Sequence, residues 1–299
     1  GLFLIWGLIM ALIQKHTLTN IFFDFNGWIY LIYFLPFVTV FTSIKDLNNI
    51  IQIFTASIIA QALKAFIFLY IFSHQIPQLM TEVYKWGRDT RWGEFTAISD
   101  GLYRIFSQGQ IFMLIGFFLI ISYLIFKGKL NYRTKRNQYL TIILFLLLTT
   151  IILSLSRSFW LAFVLSFTLL LIFILFIYNE SWKNIALIIL RLGFLALLSY
   201  AMITTIINFP LPKQGNLTSS GSMITKRLQS DNAVSSRWSQ LPNLLTEISK
   251  HPIIGSGWGK TVTYKSQDPR ILNENNPDGW YTTFAFEWGY LDLVLKIGL

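Results

Sequence analysis

The stretch ILFLLLTTIIL, residues 143–153, decides the fold class. It is apolar without alternation, whereas the strands of a membrane barrel alternate lipid-facing and lumen-facing residues along their length. With its flanks it is long enough to cross the roughly 30 Å hydrocarbon layer as a helix, which takes about 17–25 residues. It belongs to an apolar run near 139–155, and similar runs lie near 1–13, 26–43, 50–72, 109–126, 159–177, 185–207 and 283–299. The expected fold is an all-α polytopic membrane protein with a helical transmembrane bundle. The expected organisation is a bundle of about seven spans over 1–208, a large extracytoplasmic loop domain over 209–282, and the start of a further span over 283–299. Because the chain begins at Gly1 and stops at Leu299 within apolar sequence, further helices are expected beyond both ends.

Composition agrees: of 299 residues, 54% are hydrophobic, 17% aromatic and only 13% charged. Cysteine is absent, which removes disulfides, thiolate metal sites and thiol nucleophiles from consideration. The net charge of +10 does not point to nucleic acid, because no aromatic and basic reading surface accompanies it. It orients helices instead. Short loops rich in Lys and Arg stay cytoplasmic, and the loop with Lys127, Lys129, Arg133, Lys135 and Arg136 carries no acidic residue. Alternating the spans from that loop places residues 73–108, the SLSRS turn around Arg157 and the long loop 209–282 outside.

A connection as long as 209–282 is usually functional. Its basic residues Lys213, Lys226, Arg227, Arg237, Lys250, Lys260, Lys265 and Arg270 outnumber Asp231, Glu247, Asp268, Glu274 and Asp278, which suits an anionic ligand. Pro210, Pro212 and GNLTSSGS read as extended chain. Beyond them Trp238, Leu241, Leu244, Leu245 and Ile248 recur at helical spacing, with Ser235 or Ser236 as a cap. Pro242 falls inside this pattern, so the helix either begins near it or kinks there. Then come HPIIGSGWG at 251–259 and EWGYLDLVLKIGL at 287–299.

The order of Ser236-Arg237-Trp238, HPIIGSGWG, an outer loop and a helix ending in KIGL resembles the O-antigen ligase and polymerase superfamily, and LSLSRSFWLAF at 153–163 is similar to that family's turn between two spans. Together these cover residues 141–299. The resemblance implies a glycosyltransferase C-like membrane enzyme on the outer face of the bacterial inner membrane. Its donor would be an undecaprenyl-diphosphate-linked glycan, its acceptor a glycan, lipid or protein, and its setting the membrane lipids, with no metal and no other cofactor. Whether it ligates or polymerises stays open. A flippase or other transporter that moves lipid-linked cargo without chemistry is the alternative.

A leaving diphosphate calls for guanidinium groups, which bind phosphate oxygens in pairs and stay protonated. Arg157 and Arg237 are the expected catalytic arginines. In the family a histidine opens the last motif; here Glu287 stands at that position and Lys296 at the motif's glutamate, so Glu287 is expected to act as general base. Arg104, in YRIFSQGQ before the fourth span, resembles a family arginine, which implies a role in binding the diphosphate or glycan. Lys64, inside the third span beside Gln61, faces the bundle interior or snorkels outward, and is a candidate for binding the donor's diphosphate. Gly255, Gly257 and Gly259 either cradle phosphate through their N–H groups or form a tight turn. His251 is expected to cap or pack before Pro252. Trp258 and Trp288, with Trp86, Trp92, Trp238 and Trp280, are placed to stack on sugar rings or to anchor at the interface. His16, His74 and His251 lie far apart, which argues against a metal centre.

Overall fold

The computed structural model describes residues 2–40, 43–90, 92–99, 101–126, 134–177, 182–211, 232–266, 271 and 276–299. Lys127, Lys129 and Arg133 of the expected inner loop lie outside the described residues, as do Pro212, GNLTSSGS, Lys213, Lys226, Arg227, Asp231, Asp268, Arg270 and Glu274; so do the side chains of Ser235 and Ser236. The chain forms two compact units, Leu47–Gln229, and Gly1–Asp46 with Ser230–Leu299.

The first of these units holds α4 (Ile44–Ser73), α5 (Pro77–Asp89), β1 (Gly93–Ser99), β2 (Leu102–Ser107), α6 (Gln110–Phe126), α7 (Lys135–Leu153), α8 (Arg157–Phe176) and α9 (Trp182–Ile207). Four helices, Leu47–Ser73, Lys135–Leu153, Arg157–Phe176 and Ile185–Ile207, are long and apolar enough to cross a membrane. Burial divides each of them into an inner and an outer face. Ile58, Phe117, Leu147 and Ile151 pack together, while Leu161, Leu165, Leu169 and Phe176 of α8 stay exposed, an apolar surface suited to lipid rather than water. In hydrocarbon, helices gain little from burying apolar surface against one another, so polar contacts between them matter. One such contact joins α7 to α9: Thr149 Oγ1 donates to Ser199 Oγ at 2.9 Å, with both residues buried. Thr149→Val should therefore lower stability by about 1 kcal/mol, read from thermal unfolding in detergent.

The fold is mainly, not wholly, helical, which corrects the all-α expectation. β1 and β2 form an antiparallel hairpin in which Ser99 pairs with Leu102, and Gly101 turns the chain at φ +75°. Asp100-Gly101 between alternating segments is a hairpin signal that the helical reading passed over. A second hairpin pairs β3 (Val262–Lys265) with β4 (Trp280–Thr283) in the other unit.

That other unit also contains α1 (Leu2–Ile13), α2 (Leu18–Asn26), α3 (Phe34–Val40), α10 (Asn232–Lys250) and α11 (Gly289–Ile297). The span expected at 26–43 is not one helix. α2 ends at Asn26, and the axis bends by 45° between it and the next stretch, which opens as a 3-10 turn over Ile29–Tyr33 and continues as α3. Pro36 lies beyond the bend; with no N–H to give the Ile32 carbonyl, it bears instead on the 3-10 turn ahead of α3. The run expected at 283–299 is helical from Gly289 and follows β4.

Candidate functional site

In the unit Leu47–Gln229, the expected residues gather around the end of α7. The last carbonyls of a helix have no partner within it, and here side chains supply them. Gln110 Nε2 donates to Thr150 O at 2.8 Å, Trp160 Nε1 to Ile151 O at 3.1 Å and Arg104 Nε to Ser154 O at 3.2 Å. Arg104 also pairs with Glu94 at 3.2 Å across the hairpin. Leu155 sits at φ +45°, a strained position for a branched residue, and the chain leaves it into α8 with Arg157 as first residue. The 30 Å³ cavity beneath this turn, lined by Leu102, Leu155, Trp160 and Tyr200, is too small and too apolar for a sugar. Lys64 lies 5.5 Å over the Trp86 ring, a cation–π contact.

In the other unit, α10 runs unbroken from Asn232 to Lys250 with Pro242 inside it, so the sequence pattern on both sides of the proline belongs to one helix. Leu244 packs with Val262 and Leu295. Gln240, also buried, donates to Tyr264 Oη at 2.9 Å and accepts the Glu287 N–H at 3.3 Å. Trp288 Nε1 donates to Arg237 O at 2.9 Å. These bonds bring together two side chains fifty positions apart: Arg237 Nε meets Glu287 Oε2 at 2.6 Å. Glu287 is 37% exposed and Arg237 50%. Little burial is therefore available to strengthen Glu287 as a base, and one of its oxygens is taken by the arginine.

Glu287 lies on the wall of an open groove of about 580 Å³ shared with Trp28, Trp288, Tyr290 and Asp292. That volume is in the range of small-molecule sites. Beneath it lies a charged cluster that the sequence reading missed. Lys296 is fully buried, and its Nζ is 2.6 Å from Asp24 Oδ1 and 2.6 Å from Asp292 Oδ1. That Asp292 oxygen is buried, and the Lys296 charge is what holds it. Asp24 also accepts the Gly259 N–H at 2.7 Å through Oδ2. Asp292 and Lys296 are four residues apart on a helix and Asp24 is an acid in apolar FFDFN; both signals were readable, their meeting was not.

HPIIGSGWG proves to be a packed turn. Gly255 N donates to His251 O, Ser256 N to Leu295 O, Gly257 N to Lys296 O and Trp258 N to Gly7 O, at 2.7 to 3.1 Å. With Gly259 bonded to Asp24, these N–H groups are committed within the protein, which corrects the phosphate-cradle expectation for Gly255 and Gly257. Trp258 is likewise no sugar platform: it is 1% exposed, against α1 and α2, and its Nε1 donates to Leu4 O at 3.0 Å. At the end of α10, burial alone would raise the Glu247 carboxyl, but hydrogen bonds and charge from Lys250 and Lys260 outweigh it and hold it below the ordinary value. Among the described residues, no group of three or more His, Asp or Glu side chains is arranged to hold a metal ion.

Long apolar helices with lipid-suited outer faces make this a multi-pass helical membrane protein. The family model described as O-antigen ligase matches residues 142–296, just over half of the chain and the stretch that carries Arg157, Arg237, the glycine turn and Glu287. The chain belongs to the O-antigen ligase family, and glycosyl transfer is the activity that membership implies. No curated protein and no solved structure matches it.

Proposed function

We propose that this protein transfers or polymerises glycan from an undecaprenyl-diphosphate-linked donor onto a surface acceptor, without a metal, on the extracytoplasmic side of the bacterial inner membrane. In this reading residues 209–282 are the extracytoplasmic portion of a glycosyltransferase C-like bundle. The observation that carries it is the Arg237–Glu287 pair beside a sugar-sized groove walled by aromatic rings, within the family match. A guanidinium oriented by a carboxylate is suited to a diphosphate leaving group, and charge fixed in advance where charge develops is an efficient way to lower a barrier. Arg157 and Arg104 keep their proposed phosphate-binding roles in the unit Leu47–Gln229, and Lys64 its proposed contact with the donor's charged group.

The test is purified protein with undecaprenyl-diphosphate-linked oligosaccharide. Released undecaprenyl diphosphate supports transfer; movement of cargo across vesicles without cleavage supports a flippase and ends this reading. Arg237→Lys keeps the charge but loses the planar fork. It should slow release by about tenfold while changing stability by less than about 1 kcal/mol, because the pair is exposed. An unaffected rate would remove Arg237 from the site.

A further inference from the structure

We propose that Asp292 is the proton acceptor of the transfer reaction and that the groove it lines seats the acceptor sugar against Trp28, Trp288 and Tyr290. The inference rests on the transferase reading and adds a residue to it. A base must reach the acceptor hydroxyl directly or through one water, and the groove wall offers two carboxylates, Glu287 and Asp292. Glu287 is committed to Arg237 at 2.6 Å. Asp292 gives Oδ1 to the Lys296 ammonium at 2.6 Å, but it differs from Glu287 in its setting. Its side chain is 21% exposed, open to the groove but largely withdrawn from water. The buried ammonium, itself tied to Asp24, fixes the carboxylate in place through one oxygen. Aromatic faces beside a carboxylate are the combination a sugar hydroxyl needs: a platform for the ring and an acceptor for the proton.

The step balances. The acceptor oxygen bonds to the anomeric carbon of the donor as the bond from that carbon to the diphosphate oxygen breaks; the hydroxyl proton passes to Asp292, and the electron pair leaves with the lipid diphosphate.

Asp292→Asn and Asp24→Asn each remove one charge from Lys296, but Asp292 alone of the two lines the groove. With undecaprenyl-diphosphate-linked oligosaccharide supplied as both donor and acceptor, D292N should release undecaprenyl diphosphate about a hundredfold more slowly than wild type. D24N should stay within about fivefold, although both lower the unfolding temperature. Release by D292N within tenfold of wild type, or an equal loss in D24N, overturns the proposal. Should D292N not fold, Asp292→Glu decides: it keeps the charge and moves the carboxylate by one methylene, so wild-type release overturns the proposal and slower release supports it. No release by the wild-type protein itself overturns the transferase reading, and the base with it.

Discussion

Lys296→Met should cost this protein about 3–5 kcal/mol, the range found when one partner is taken from a buried ion pair. Methionine fills nearly the same volume, so the loss comes from charge rather than from a cavity. Asp24 and Asp292 would be left beside each other with no cation between them, and Lys296 is fully buried, so water cannot screen the pair from that side. The damage should spread, because Asp24 also holds the Gly259 N–H. Loss of the ammonium therefore loosens α2, the glycine turn and α11 together. Thermal unfolding in detergent checks this, and a triple variant with Asp24→Asn, Asp292→Asn and Lys296→Met supplies the control. Neutralising all three groups should recover much of the stability, since a buried charge cluster replaced by neutral groups of similar size is often close to neutral in energy. A K296M protein that melts with wild type would mean that the cluster is hydrated and unimportant.

The parts of the fold that a linear reading reaches are those fixed by local composition. Apolar runs near 50–72, 109–126, 139–155, 159–177 and 185–207 correspond to α4, α6, α7, α8 and α9 within a few residues, because a helix long enough to cross a bilayer writes its length directly into the sequence. The same logic fails at 26–43, where apolar character continues across the 45° break between Asn26 and Ile29 and through a 3-10 turn, neither of which hydropathy registers. It is silent on β1–β2, within the outer connection 73–108, where the alternation around Gly101 carries the hairpin.

The candidate site divides in the same way. Arg237 and Glu287 were singled out by resemblance to the family, and the structure places them in contact through Gln240 and Trp288, partners no spacing rule supplies. Arg157 and Arg104 stand in the unit Leu47–Gln229, each beside the end of α7. The Asp24–Lys296 pair joins residues 272 positions apart, which no window along the chain can contain. For the glycines, the sequence allowed a phosphate cradle or a tight turn, and the choice depended on where five N–H groups point.

Gly257→Ala should unfold the unit that carries Glu287 at a much lower temperature, with a loss of about 4 kcal/mol. Two penalties combine. Gly257 sits at φ +85°, where a side chain costs about 1–2 kcal/mol. An added Cβ would also press on Ala11 N and Cα and on Met10 C of α1, and these are backbone atoms, which cannot rotate aside as a side chain would. Overpacking of that kind adds about 1–3 kcal/mol. Relief requires α1 to move away from the turn. The Trp258 N–H then leaves Gly7 O and its indole leaves Leu4 O, while the strain reaches Lys296 through the Gly257 N–H bonded to its carbonyl. Gly289→Ala is the informative contrast: it opens α11 with nothing within 4 Å of its added Cβ, so its stability should match wild type or slightly exceed it. A G257A protein as stable as G289A would show that the turn does not rest on α1, and the seating of the Lys296 cluster beneath the groove would fall with that contact.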